Sequence, residues 1–392
     1  MIRGLIVGMC VSQLSLTGMA CAQENKFKLS AQLVEVYDSN ILRIGDQRTD
    51  NPTDNVSMSP RVAVDFDRRF GRQRAFITGY AGYNFNSRFR FLNREDLALN
   101  SGLDLRFGPR CRITPTVSVL RGQSDLEDLG QIVTNAVTVQ DYNIRASCPR
   151  PAGFYPTVGA GYYQVRNSEI RRERDQSIVD ARFGVAYARP SIGNFELFGQ
   201  ITRIQRNRRD PTPAGLLRDE TDVRTIALRF SRDVGTRFES ALQIGYTNVD
   251  PKTVDVPRFS GLTYQGSLTY QPTPPLALTV AFGRQVSGRG NVGTSYYVSE
   301  NAEFRARAKL TARTSVGAGV QLSKRDFAGE DRVFQFGPRG QDRQLEANAT
   351  IGYRLARPIN LDLSTRYRRR NAENNFYDYD SFSATLAAAM SF

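Results

Sequence analysis

The chain has 392 residues, with 53 Lys and Arg against 39 Asp and Glu, and a formal net charge of +14 at pH 7. It contains no His and no Trp, and only four Cys. The absence of His removes the usual general base near neutral pH and a common metal ligand. The mean hydropathy is −0.42, and no stretch after residue 22 approaches the roughly 20 apolar residues of a transmembrane helix.

The first 22 residues differ from the rest of the chain. A positive residue and a short apolar run precede Ala20-Cys21-Ala22, which has the small-x-small pattern that signal peptidase cuts. We predict a cleaved signal peptide over residues 1–22 and a mature chain that begins at Gln23. Cys21 as an acylated lipoprotein cysteine is the alternative, although Gly18 stands where a lipobox prefers Leu.

Apolar and polar residues alternate with a period of two in many segments of the mature chain, for example in 302–310, 345–353 and 359–367. This period is the primary signal of β-strands whose two faces meet different environments. Nearly every segment has the same character, and no long helical pattern interrupts them. A closed barrel with lipid outside and water inside explains this uniformity better than a soluble sandwich does.

Compact turn signals divide the chain at intervals of about 40 residues, which suits one hairpin of two strands and a loop. The eight turns lie at Phe70–Gly71, Gly108–Pro109, Pro149–Pro151, Pro190–Gly193, Asp233–Gly235, Pro272–Pro275, Ala312–Thr314 and Arg357–Pro358. We therefore predict that residues 23–392 form one all-β domain. It is a transmembrane antiparallel up-and-down barrel of 18 strands, with 16 as the alternative and both termini in the periplasm.

Longer polar segments alternate with the turns and are predicted to be extracellular loops. They are Asp38–Asn55, Ser124–Asn135, Arg206–Glu220 and Lys324–Arg343. No loop is long enough to predict a constriction of the barrel.

The last strand carries a second clue to location. Residues 382–392 place apolar residues that include Phe382, Leu386 and Met390 on one face and only Ser, Thr and Ala on the other, and they end on Phe392. A terminal aromatic residue that closes an amphipathic strand resembles the signal that outer-membrane barrels present to the barrel-assembly machinery. We therefore expect the chain to lie in the cell outer membrane, in contact with lipid and lipopolysaccharide.

The composition argues against an enzyme. The known barrel phospholipases, deacylases, palmitoyl transferases and omptin-type proteases depend on a catalytic His, and no pair of carboxylates stands at a spacing that indicates a glycosidase. We therefore predict no catalytic residue, no metal site and no cofactor. Nucleic acid is a poor candidate for a partner because the chain is exported.

Two cysteines remain in the mature chain, Cys111 and Cys148. They flank the two predicted strands of one hairpin at its periplasmic ends, and both continue the outward set of residues. Neighbouring positions on one face meet the Cα separation that a disulfide requires. An oxidising compartment also favours a disulfide over a zinc site. We predict a Cys111–Cys148 disulfide.

Arginine supplies nearly all of the positive charge. The positive side chains placed on the inward phase, and hence the candidates for lining a pore, are Arg61, Arg106, Arg182, Arg229, Arg305, Arg307, Lys309, Arg366 and Arg368. Inward acids compensate in part: Asp65, Asp104, Asp180, Glu239, Glu303, Glu346 and Asp362. Two interpretations stay open, a hydrated wall of ion pairs without selectivity and an electropositive pore that favours anions or acidic polymers. Arginines at 171–174 and 206–209 are predicted to meet lipopolysaccharide phosphates.

The end of the first predicted strand carries a resemblance. The segment from Tyr37 to Arg43, with its Asp38-x-Asn40 motif, resembles the opening of the putative β-barrel porin 2 family. The length, the early first strand and the terminal Phe are also similar. The resemblance implies a porin-like barrel and an association with exopolysaccharide production, and it assigns no catalytic residues.

Three functions follow as hypotheses. The first is a porin with a hydrophilic, Arg-lined channel for small or anionic solutes, because an 18-strand barrel has room for an aqueous channel. The second is an accessory barrel that binds or exports an acidic exopolysaccharide. The third is a structural barrel plugged by its own side chains.

Overall fold

The computed structural model describes residues 26–45, 51–124, 126–127, 134–212, 215–252, 256–289, 294–330 and 338–392. The signal peptide predicted over residues 1–22 lies outside the described residues. The first nine strands are β1 Lys26–Asp38, β2 Asn55–Phe70, β3 Gln73–Asn86, β4 Arg94–Phe107, β5 Cys111–Gln123, β6 Ala136–Ser147, β7 Gly153–Arg166, β8 Gln176–Arg189 and β9 Gly193–Thr212. The second nine are β10 Gly215–Val234, β11 Phe238–Pro251, β12 Phe259–Thr273, β13 Leu276–Ser287, β14 Thr294–Lys309, β15 Thr314–Glu330, β16 Gln341–Arg354, β17 Ile359–Ala372 and β18 Tyr379–Ser391.

The strands form one closed antiparallel sheet. Each strand pairs with its neighbours in the chain, and β1 pairs with both β2 and β18. At this closure Leu33 lies opposite Pro60 on one side and Ala388 on the other. The prediction of an 18-strand barrel is confirmed, and the alternative of 16 strands is wrong.

Helical structure is minor and lies between strands. Within the described residues, three short 3₁₀ helices span Arg90–Leu92, Glu169–Arg174 and Asn375–Tyr377. Among the residues that the structure describes, no helix has the length and apolarity needed to cross a membrane.

The two faces of the sheet have opposite chemistry. Along β4, Leu99 and Leu103 are exposed on the outer face, whereas Asn100 and Asp104 belong to the inner set. A similar division holds along β18, where Phe382, Leu386 and Met390 are exposed on the outer face and the inner face from Ser381 to Ser391 carries only Ser, Thr and Ala. Exposed apolar side chains on the outside of a closed barrel are what a lipid environment requires, since only alternate residues face the lipid.

Phenylalanine and tyrosine form a belt around the outside at one end of the barrel. Aromatic pairs with ring centroids 4.6–4.9 Å apart join neighbouring strands there. They are Phe154–Tyr187, Phe195–Phe230 and Phe238–Tyr270. Aromatic girdles at this level are typical of barrels in outer membranes, and here the girdle is built without Trp.

The barrel has a turn end and a loop end. All eight predicted turns fall between consecutive strands at the turn end, where β1 begins and β18 ends. At the loop end, the prediction of a loop over Arg206–Glu220 is wrong, because β9 and β10 continue as a paired hairpin to Thr212 and from Gly215. The predicted loop over Lys324–Arg343 is shorter than expected, since β15 runs to Glu330 and β16 begins at Gln341.

The assignment of faces predicts unequal effects for substitutions at adjacent positions of β4. Leu99→Arg places a charge against lipid near the middle of the strand and should destabilise the barrel by about 2–4 kcal/mol. Asn100→Arg places the same charge on the polar inner face and should leave the free energy of unfolding nearly unchanged. Unfolding of the refolded barrels by guanidinium, followed by heat-modifiable electrophoresis, measures both. Equal effects of the two variants would contradict the assignment.

Candidate functional site in the barrel lumen

All nine positive side chains predicted to face inward belong to the inner set of the observed register. The register pairs them with inner residues of adjacent strands, for example Arg229 with Glu196 and Gln243, and Arg368 with Glu346. Successive inner residues of β14 bring Arg305, Arg307 and Lys309 onto one wall near the turn end.

Five of these nine side chains form ion pairs with inner carboxylates. Arg61 contacts Asp96 at 2.6 Å, and Arg182 contacts Glu196 at 2.7 Å. The other pairs are Arg305 with Glu303, and Arg366 and Arg368 with Glu346. These pairs support the interpretation of a wall stitched by ion pairs for the part of the lumen that they occupy.

The other four form no ion pair among the described residues. They are Arg106, Arg229, Arg307 and Lys309, and of these Arg229 has Glu196 opposite it in the register. All four lie in the half of the barrel nearer the turn end. The inner carboxylates of Glu239 and Asp362 also lack such a cation, so this half of the wall is positive on balance but not uniformly so.

A basic recess opens at the turn between β2 and β3. It encloses about 370 Å³ and is lined by Arg69, Gly71, Arg72, Gln73, Arg74, Asp104, Arg106 and Arg112. Arg74 pairs with Asp67, and Arg112 pairs with Asp104 at 2.5 Å. The recess adds to the positive character of the turn end.

At the loop end, Glu127, which lies between β5 and β6, reaches into the lumen. The carboxylate of Glu127 lies 3.2 Å from Arg325, 3.1 Å from Arg368 and 3.8 Å from Arg370. Arg370 also donates to the backbone carbonyl of Glu127 at 3.0 Å. These arginines stand on β15 and β17, so the contact crosses the barrel. We name Arg325, Arg368 and Arg370 the arginine cluster.

Two carboxylates of β16 hold the arginine cluster in place from the wall. Asp342 contacts Arg325 at 2.6 Å and Arg370 at 2.7 Å, and it is almost fully buried. Glu346 contacts Arg368 at 3.1 Å. Burial by itself raises the pKa of a carboxyl group, but the charges of the arginine cluster outweigh this effect and hold the pKa of Glu127 well below its ordinary value.

An apolar cluster positions the residue before Glu127. Leu126 packs with Leu42 and Ile44, which follow β1, and with Leu92 of the first 3₁₀ helix. All four side chains are buried. The segments after β1, β3 and β5 are therefore packed together at the loop end, and this packing delivers the Glu127 carboxylate to the opposite wall.

Gly288 and Arg289, which follow β13, lie in the lumen on another side. Arg206 on β9 donates to the carbonyl of Gly288 at 3.3 Å and to that of Ser295, near the start of β14, at 3.0 Å. Arg289 reaches Asp141 on β6 at 3.0 Å and lies over the ring of Tyr163, 4.5 Å from its centroid.

An apolar patch on the inner wall receives this second segment. Ile204 belongs to a buried apolar cluster with Val165, Ile178, Val223 and Val249. A Cβ added at Gly288 would collide with the Cδ1 of Ile204, so the backbone packs directly on the patch. Glu127 on one side and Gly288 with Arg289 on another therefore narrow the lumen at the loop end, whereas the sequence predicted no constriction.

The prediction that the arginines of 171–174 and 206–209 face lipopolysaccharide is wrong for two of them. Arg206 is on the inner phase of the extended β9 and is 3% exposed, beside Asp219. Arg174 is also buried. Arg172 is half-exposed and pairs with Glu169 at 3.5 Å. The side chains of residues 207–209 lie outside the described part of the structure.

The Asp38-x-Asn40 motif lies at the seam between the first and last strands. The Asp38 carboxylate accepts from the backbone N–H of Asn40 at 2.9 Å, from the hydroxyl of Ser381 at 2.9 Å and from Arg43 at 2.7 Å. The Asn40 amide donates to the carbonyl of Asp380 at 2.9 Å. The motif therefore ties the loop after β1 to β18, where the barrel closes.

Phe392 and the two cysteines lie at the turn end. Phe392 donates its N–H to the carbonyl of Leu29 at 2.8 Å, and its side chain is 70% exposed on the outer face. Because Arg112 lies opposite Ser147, Cys111 and Cys148 come directly opposite each other, and the structure joins their sulfurs.

These observations define the class of the protein. A closed antiparallel barrel with an apolar exterior, an aromatic girdle and a charged interior is an outer-membrane β-barrel. The profile of the putative β-barrel porin 2 family matches residues 162–391, which is more than half of the chain. The chain belongs to this family, and it is a porin-like barrel of the outer membrane. The resemblance seen in the sequence is confirmed.

Solved barrels share the overall architecture at low identity. OccK2 (OpdF) of Pseudomonas aeruginosa in complex with glucuronate is 11% identical, over 94% of this chain and 98% of that one, with a TM-score of 0.48. OprD of the same organism is 10% identical, over 93% of each chain, with a TM-score of 0.46. The siderophore receptor PiuA of Acinetobacter baumannii is 9% identical, over 93% of this chain and 82% of that one, with a TM-score of 0.48. No curated protein sequence matches the chain.

The Glu127 contact predicts a pH dependence with a definite sign. A carboxylate whose pKa is lowered by folding adds stability above its unfolded pKa, ordinarily 4.5, and loses it as the pH falls through the folded value. Glu127→Gln removes one negative charge that faces the arginine cluster. It should lower the free energy of unfolding by up to about 3–5 kcal/mol. The difference between the unfolding temperatures of wild type and variant should be constant from about pH 8 to 5. It should shrink in stronger acid, where Glu127 becomes protonated. A difference that vanishes already near pH 6 would contradict this account.

The cysteine geometry predicts the reactivity of both thiols. Without reductant, neither Cys111 nor Cys148 should react with an alkylating reagent in denatured protein purified from the envelope, because both sulfurs are bonded to each other. After reduction both should react, and mass spectrometry counts the added groups. Cys111→Ser serves as the control, since it leaves Cys148 without this partner and alkylatable from the start. Alkylation of both thiols in unreduced wild type would refute the disulfide.

Proposed function

We propose that the protein is a channel, without enzymatic activity, for small hydrophilic solutes, and that it favours anions. The observation that carries the proposal is the set of unpaired positive side chains, Arg106, Arg229, Arg307 and Lys309, on the inner wall nearer the turn end. Arg remains ionised at physiological pH, so its field does not titrate away. Rings of Arg and Lys favour anions in pores of this kind.

The charge distribution divides the lumen into two regions. Toward the loop end, positive side chains such as Arg325 and Arg368 are matched by carboxylates and contribute little net field. Toward the turn end, the side chains of Arg307 and Lys309 follow each other on one wall of β14. Anion preference is therefore expected from the second region. It should be modest and weaken with salt, because the Debye length is about 8 Å at physiological ionic strength.

The inserted segments support small solutes as cargo. The contacts of Glu127 and Arg289 cross the lumen near the loop end, and buried packing holds both segments in place. A narrowed opening of this kind favours small molecules over a polysaccharide chain. A barrel plugged by its own side chains would pass no current in the planar-bilayer measurement.

The ends of the chain complete the proposal. We propose cleavage after Ala22, a periplasmic location for the turn end, and recognition of Phe392 by the barrel-assembly machinery. The exposed position of Phe392 at the end of β18 leaves its ring accessible to such a partner.

The proposal predicts the ion selectivity of the reconstituted protein. In a planar bilayer with a KCl gradient, the wild type should pass chloride more readily than potassium. Arg307→Gln combined with Lys309→Gln removes two unpaired inner charges and should move the reversal potential toward cation preference.

Arg68→Gln combined with Arg232→Gln is the matched control, because it removes two charges from the outer face near the same end. The control should leave the reversal potential unchanged. Equal shifts in both double variants would sink the assignment of the inner charges, and a complete lack of current in the wild type would favour a plugged barrel.

A further inference from the structure

The contact between Glu127 and the arginine cluster has the geometry of a bound carboxylate. Arg368 faces Oε2 and Arg325 faces Oε1, so each carboxylate oxygen meets a guanidinium group at 3.1–3.2 Å. Charge-assisted hydrogen bonds of this kind are among the strongest that a protein makes with a carboxylate. The carboxylate comes from a segment outside the strands, whereas the three arginines belong to the wall.

We propose that the arginine cluster is a binding subsite for a carboxylate of the solute, which Glu127 occupies in the free protein and leaves when the solute binds. The inference rests on the proposed channel function, which it deepens by naming carboxylates as the substrate class.

The wall keeps the subsite assembled without Glu127. Asp342 holds Arg325 and Arg370 at 2.6–2.7 Å, and Glu346 holds Arg368 at 3.1 Å. Both carboxylates stand on β16, between the strands that carry the arginines. Removal of the Glu127 side chain therefore leaves the positions of the guanidinium groups determined by the barrel itself.

Charge and burial favour an anion at this place. The arginine cluster gathers three guanidinium groups, and Glu346 is shared between Arg368 and Arg366, so the carboxylate of Glu127 supplies part of the charge that compensates them. Arg370 is 1% exposed, so water screens its charge weakly, and a departing carboxylate must be replaced by another anion.

Glu127 can leave without undoing the loop. Its neighbour Leu126 is held separately, by packing against Leu42, Ile44 and Leu92. Displacement of the Glu127 side chain, which also gives up the hydrogen bond that Gln344 donates to it, vacates the position between the arginines. The cluster discriminates by charge, since a neutral polyol offers no group that can compensate the guanidinium groups.

Sodium gluconate and sorbitol make a matched pair of probes, because both are six-carbon polyols and only the first carries a carboxylate. Isothermal titration calorimetry on the folded barrel in detergent micelles measures binding without any requirement for ion flow. Glu127→Gln removes the internal competitor and should tighten gluconate binding at least about tenfold relative to wild type. Sorbitol should show no difference between the two proteins.

A second variant keeps the test independent of folding defects. Adding Arg368→Gln to Glu127→Gln should abolish the gain in gluconate affinity, whereas adding Arg232→Gln on the outer face should preserve it. Heat-modifiable electrophoresis verifies that all variants are folded. Equal gluconate affinity in wild type and Glu127→Gln, or a gain that survives loss of Arg368, would overturn the subsite.

The two proposals fail separately. Gluconate binding with the expected variant pattern in a protein that passes no current would leave the subsite standing and remove the channel. An anion-selective current combined with unchanged gluconate affinity in Glu127→Gln would support the channel and rule out the subsite.

Discussion

The structure depends on one constraint, that every backbone N–H and C=O group inside the membrane must find its partner within the protein. In a sheet this is possible only if the last strand pairs with the first. The pairing of β1 with β18 meets the requirement, and the hydrogen bonds of Asp38 and Asn40 extend it beyond the ladder into the loop. Once the sheet is closed, each strand has one face toward lipid and one toward the lumen. Alternate residues of the sequence therefore determine which side chains meet the lipid and which line the lumen.

The same constraint explains how much of the fold could be predicted. Each strand shows its alternation locally, and each turn shows its own Gly or Pro chemistry, so the strand number and all eight turns follow from short segments. The prediction failed over Arg206–Glu220. Strands of 20 residues exceed the roughly 9–11 that cross a membrane, and the projecting part has no lipid on its outer side. Its outer face is therefore free to be polar, and the contrast that identifies a strand disappears.

The candidate site was predictable only in part, for a related reason. The inward phase of Arg366 and Arg368 follows from their spacing, but their partners do not, because Glu127 and Arg368 are 241 residues apart. No local pattern distinguishes an inner arginine that meets a loop carboxylate from one that faces open water. The Asp38-x-Asn40 motif was visible in the sequence, yet its bond to Ser381 spans 343 residues and could not be inferred from the motif.

Apolar packing anchors both places where the lumen narrows, but the contacts that Glu127 and Gly288 make with the opposite wall differ in kind, and this difference bears on function. The segment at Gly288 packs on the apolar patch around Ile204, and Arg206 binds its backbone carbonyls, which a solute cannot replace. Glu127 is held instead by paired charges, and any carboxylate that reaches Arg325 and Arg368 can supply the same interaction. Paired buried charges add little net stability compared with apolar packing, because desolvation opposes the Coulomb attraction. An apolar contact therefore suits a fixed narrowing of the lumen, and an exchangeable ion pair suits a place where an anionic solute is recognised.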